Sequence, residues 1–264
     1  MTDDDDDDDK KDRFILFASS FVMKPNYILR TLPPRLTTEF VTAFERIKKR
    51  IICSLLDIGI DLLPSLTYDI CNFAVKKGGL GLSNLPDVAH AAYVSSLIDY
   101  HKHHDDCIDI NDPNPYTEEF IQAAAIFVNA PENNLRLKKD LNMVALLSLD
   151  KKESETYQHV LTEELLERKW IQLKDTLREN NVHHFKWWNH HQNSEAGKWL
   201  ECLPISTQFH MPNDVFEAAL RLRLFYNASG WSPNKKCICK STKGNGRYPN
   251  LDSKGHHLAF TCSL

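Results

Sequence analysis

Seven apolar residues, Phe40, Phe44, Ile47, Ile51, Leu55, Ile58 and Leu62, recur at steps of four, three, four, four, three and four. That spacing places them on one face of a helix for about six turns, the strongest periodic signal in the chain. Pro33-Pro34 bounds the stretch on one side, since neither residue donates a backbone hydrogen bond and each restricts its predecessor; Pro64 ends it on the other. Thr37 or Thr38 is the expected cap. A stripe of this kind has to be buried against further helices. With 9 glycines and 12 prolines in 264 residues, little turn chemistry remains for a multi-stranded sheet or a Gly-rich nucleotide fold, so a mainly α protein is expected.

Other segments agree. Asn84 reads as the cap of a helix with Asp87 in its first turn and a small-residue stripe of Ala89, Ala92, Tyr93, Ser96 and Leu97, suited to close packing. An Ala-rich helix covers 121–128, and Tyr157, Val160, Leu161, Leu165, Trp170, Leu173 and Leu177 mark a long one running to about Arg178. Trp187 or Trp188 is expected to pack on that long helix, with His183, His184, His190 and His191 at the surface. A last helix opens at Asn213 or Asp214, with Glu217 at capping-box spacing and Phe216, Leu220 and Leu224 as its buried line. Gly78-Gly79-Leu80-Gly81-Leu82 lacks the strand context of a dinucleotide fingerprint and reads as a tight turn that tucks both leucines inward. A shift to acidic composition near Asp99 and the turn Asp112-Pro113-Asn114-Pro115 suggest four regions: an acidic tail (1–12), a helical domain (13–110), a helical linker (111–205), and a C-terminal helix with a small loop-rich Cys/His segment (206–264).

The formal net charge of −4 is a property of the tail, because removing the seven aspartates at 3–9 leaves 29 acidic residues against 32 Lys+Arg. An acidic N-terminus and the absence of a long uncharged apolar run disfavour a signal peptide and a membrane span, so an intracellular protein with no membrane partner is expected. Two regions are basic. From Lys24 to Arg50 there are seven cations and two acids, which makes Lys24, Arg30, Arg35, Lys48 and Lys49 either a solvated face or phosphate contacts. From Arg221 onward there are eight cations and only Asp252, with Lys235, Lys236 and Lys240 the densest cluster, a segment able to face RNA or DNA.

Cys53, Cys71, Cys107 and Cys202 read as small buried residues, whereas Cys237, Cys239 and Cys262 crowd one end beside His256 and His257. Cys237, Cys239, His257 and Cys262 form a complete tetrahedral set for one structural Zn²⁺, with His256 an alternative to His257. The competing reading is a basic tail with reduced, unliganded thiols. The cluster His101, His103 and His104 reads as a solvated helix end. No P-loop, nucleophile elbow or zinc-protease motif occurs, and no catalytic residue is assigned.

Taken in order, Pro25-Asn26-Tyr27-Ile28-Leu29-Arg30-Thr31-Leu32-Pro33-Pro34, Gly78-Gly79-Leu80-Gly81-Leu82, Ala91-Ala92-Tyr93-Val94-Ser95-Ser96, the helix Phe216 to Leu224 and the Cys/His segment resemble the region downstream of the palm in non-LTR (LINE-like) retrotransposon reverse transcriptases. The resemblance spans nearly the whole chain from Phe14. It implies a thumb-like helical bundle carrying Arg30 and its basic neighbours, a helical linker, and a zinc-knuckle-like segment. Template–primer RNA and DNA, and the polymerase palm, would be its partners. No palm aspartate motif precedes Phe14 and no endonuclease follows, so the resemblance implies a non-catalytic C-terminal piece. The alternative is an all-helical protein-interaction domain that binds neither nucleic acid nor metal.

Overall fold

A computed structural model describes residues 10–22, 24–104, 108–111, 115–129, 137, 141–150, 152, 155–180, 185–186, 188–189, 191–192, 197–201 and 211–224. Among them the protein is mainly helical and contains no strand. The helices are α1 (Lys10–Leu16), α2 (Asn26–Thr31), α3 (Pro34–Leu55), α4 (Ser65–Cys71), α5 (Leu85–His103), α6 (Pro115–Val128), α7 (Met143–Leu147), α8 (Tyr157–Asn180), α9 (Lys198–Glu201) and α10 (Asn213–Arg223). None of the described helices is long and apolar enough to cross a membrane. The chain falls into two compact units, one of residues 20–48 and 83–180, the other of 1–19, 49–82 and 181–264.

The first unit is organised by α5. Its residues 87–89 and 91–95 are all buried, so more than one face of the helix is covered by neighbours. Leu85, Val88, Ala89 and Ala92 pack with Leu29, Val41, Phe44 and Phe21; Ala91, Tyr93, Val94 and Ile98 join the cluster that holds Phe120, Phe127 and Leu161. The alanines and the buried Ser95 let α2, α6 and α8 approach the α5 backbone closely. Phe21 stacks on Phe44 at 4.7 Å between ring centres, which pins the segment before α2 to α3.

The period of α3 is as read, but its phase is not. Pro34 opens the helix, where its missing N–H costs nothing, and Thr37 and Thr38 donate back to the Pro34 carbonyl rather than cap. The buried positions are Thr37, Val41, Phe44, Lys48, Ile52, Cys53 and Leu55, whereas Phe40 and Ile47 are exposed and Ile51 only half-buried. The helix also stops early. Asp57 takes a left-handed conformation (φ 48°), and the Ile58 and Asp57 amides donate to the Cys53 and Ser54 carbonyls, a Schellman ending well before Pro64. Ile58 and Leu62 therefore lie beyond the helix, and Leu62 is exposed.

In the second unit, α1 and α10 are joined by a Lys10 N–H donated to Asn213 Oδ1 and a Lys10 Nζ to Glu217 ion pair, both at 2.7 Å, and by Phe14 against Phe216. Glu217 also pairs with Arg221 at 2.9 Å, and the N-cap of α10 is Pro212, without a side-chain cap hydrogen bond. Phe216, Leu220 and Leu224 are fully buried, as their spacing predicts. The glycine turn also follows the sequence reading, with Leu80 and Leu82 buried. Gly78 sits at φ 86°, and a methyl group on Gly79 would overlap the Phe73 carbonyl. The Gly81 and Leu82 amides donate to Phe73 and Cys71 carbonyls, closing the turn on α4. Trp188 is buried, but its ring lies against Phe73 at 6.2 Å and beside Gly78.

Candidate nucleic-acid interface

The seven cations between Lys24 and Arg50 divide into two groups once acids remote in sequence are counted. Arg30, near the end of α2, donates to Asp99 (3.1 Å), Gln158 (3.2 Å) and Ser95 (3.5 Å), while its carbonyl accepts the Ser96 hydroxyl at 2.6 Å. It ties α2 to α5 and α8. Arg35 donates its Nε to Glu119 on α6 at 2.6 Å, and with Pro34, Thr38, His90 and Gln122 lines a cleft of about 280 Å³. Glu119 holds the guanidinium above its ordinary pKa through that hydrogen bond and its charge.

Lys48, read from the sequence as part of a solvated face or as a phosphate contact, has no exposed surface: its ammonium donates to Glu45 at 2.8 Å and to the Ser83 carbonyl at 2.9 Å. Glu45 also accepts the Leu85 amide at 3.1 Å, doing for the start of α5 what the Asn84 side chain does not. This cluster welds α3 to the entry of α5, and an ammonium inside it is not offered to a ligand at the surface.

Lys24 and Lys49 stay available. Lys24 is exposed, Lys49 half-exposed, and neither has an ion pair among the described residues. Arg46 and Arg50, exposed and equally without an ion pair, belong with them and were counted by the sequence reading without being singled out. Their signal was their position, opposite the stripe that is in fact buried. Lys24 and Arg46 lie in the first unit and Lys49 and Arg50 in the second.

The basic C-terminal region is also less basic than a count suggests. Arg221 and Arg223 are buried. Arg221 donates to the Leu56 and Asp57 carbonyls at the end of α3, and Arg223 to the Gly79 (2.9 Å) and Val75 (2.6 Å) carbonyls of the glycine turn. Both guanidiniums are spent on backbone carbonyls inside the fold. Lys235, Lys236, Lys240, Cys237, Cys239, His257 and Cys262 lie outside the described residues, as do Cys107 and Cys202, whereas Cys53 and Cys71 are buried as read. Burial pushes the Cys53 thiol up, with Lys49 opposing.

Among the described residues no group of three His, Cys, Asp or Glu side chains is placed to hold a metal ion. His103 Nδ1 lies 2.6 Å from the Asp99 carbonyl of its own helix and His104 rests against Tyr100. No protein-family model, curated protein or solved structure matches the chain.

Proposed function

We propose that this chain is a helical nucleic-acid-binding body with no catalytic centre of its own, similar to the thumb, linker and Cys/His segment of non-LTR reverse transcriptases, and that an RNA–DNA template–primer is its ligand. The observation that carries the reading is the set Lys24, Arg46, Lys49 and Arg50, four cations without an ion pair among the described residues in a stretch where Arg30, Arg35 and Lys48 are all paired. Cations with no acid beside them release phosphate counterions on binding at little cost in lost protein contacts. The order of the quoted motifs and the helical character of the described residues support the same reading. The parent palm would be a protein partner.

One structural zinc belongs to the proposal. Three thiolates and an imidazole at Cys237, Cys239, Cys262 and His257 complete a tetrahedral shell with no position left for a reactive water. Metal analysis of the full chain tests it: about one zinc per chain, lost in Cys237→Ser and Cys262→Ser, is expected, and full metal content in both variants would exclude these ligands. For nucleic acid, fluorescence anisotropy with an RNA–DNA hybrid should give an affinity that falls by roughly an order of magnitude or more between low and physiological salt. No binding even at low salt would overturn the reading in favour of a helical protein-interaction domain, which the exposed apolar side chains of α3 independently favour.

A further inference from the structure

Leu36, Phe40, Ala43 and Ile47 follow one another on α3 at steps of four, three and four, and all four are exposed, the three large ones at 57%, 38% and 44%. They form one narrow stripe roughly 17 Å long. Single exposed apolar residues are ordinary, but a stripe in helical register is a contact surface. The stripe is also its own complement. If two α3 helices lie antiparallel about a twofold axis passing between positions 41 and 42, Leu36 meets Ile47 of the second copy and the large Phe40 meets the small Ala43, each contact occurring twice.

The flanking charges obey the same symmetry. Glu39 and Arg46 are exposed and have no ion pair among the described residues, and they lie on the same side of the stripe, each immediately preceding a residue of it. In the antiparallel pair both fall between the same two layers of apolar contacts, so Glu39 of each copy meets Arg46 of the other. In a parallel pair they would instead face the opposite flank, where Thr37 and Phe44 are already buried.

We propose that the occupant of this stripe is a second copy of the same chain, docked as an antiparallel α3–α3 pair. One helix face buries on the order of 300–400 Å² per copy, under half of a standard interface, so the pair is weak and concentration-dependent, with a dissociation constant on the order of 100 µM.

Sedimentation equilibrium of the full chain from about 10 µM to 1 mM, near physiological salt, tests this. The mean mass should rise from monomer towards dimer, and Ile47→Glu should weaken association at least about tenfold by placing a carboxylate in the apolar layer. Glu39→Arg and Arg46→Glu should each weaken it severalfold and the double variant should restore it, because the pairing is then only reversed in sign. The double variant keeps the test sharp even if Ile47→Glu unfolds. A wild-type protein that stays monomeric throughout would overturn the proposal and leave the stripe to another protein. So would a dimer indifferent to Ile47→Glu, or a double variant no better than the singles.

Discussion

Replacing Lys48 by Ala should destabilise the protein far more than replacing Ile47 by Lys, the reverse of what side-chain hydrophobicity alone would say. Lys48 has no exposed surface and donates to Glu45 and to the Ser83 carbonyl at 2.8 and 2.9 Å. Truncation removes two charge-assisted hydrogen bonds worth about 1.5–3 kcal/mol each, and leaves the Ser83 carbonyl without this donor. Part of that is recovered, because the ammonium no longer has to be desolvated, and because Glu45 is 17% exposed and keeps the Leu85 amide. The net cost should be about 3 kcal/mol. Ile47 is 44% exposed, so a lysine there should cost about 0.5 kcal/mol or less. Urea denaturation followed by circular dichroism at about 1 µM protein, dilute enough to exclude self-association, measures both. If Ile47→Lys cost as much as Lys48→Ala, the phase assigned to α3 would be wrong, and the dimer stripe with it.

Gly79→Ala should destabilise by more than about 3 kcal/mol, because the new methyl group meets the Phe73 and Ile70 carbonyls and backbone cannot yield as a flexible side chain would; an unchanged urea midpoint would contradict the turn geometry. Tyr93 carries a raised pKa, from burial first and then the nearby Glu119 carboxylate. Below the ordinary tyrosine value of 10.0 its contribution is fully present; above it the unfolded chain gives up the proton first, so stability falls as pH rises towards and through the raised native value. Tyr93→Phe should flatten the alkaline limb of a stability–pH curve, and an identical limb would refute the assignment.

What the sequence revealed depended on how local the cause was. The glycine turn was legible because its geometry is imposed by Gly78 and Gly79 themselves, and the line Phe216, Leu220, Leu224 because its apolar residues recur at helical spacing. On α3 two stripes share the same rhythm, and hydrophobicity alone does not show that Glu45 and Ser83 give Lys48 a reason to be inside. The charge tally of 24–50 failed for a related reason: Asp99 and Glu119, the partners of Arg30 and Arg35, stand 69 and 84 residues away. Arg221 and Arg223 looked like part of a basic tail because no pattern in one dimension reveals a carbonyl more than a hundred residues distant. Burial of Trp188 followed from its bulk and apolarity, while its neighbour Phe73, more than a hundred residues away, could not be named from the sequence.

The central claim is that the cations left unpaired by the fold are the ones that meet phosphate. The salt dependence of binding an RNA–DNA hybrid, compared between wild type and the combined Lys24→Ala, Lys49→Ala, Arg50→Ala variant, tests it most directly. If each of the three neutralises one phosphate, the slope of log affinity against log salt should be shallower in the variant by about 2.7. An unchanged slope, with the wild type binding, would mean that phosphate is met elsewhere and that these three residues are only solvated.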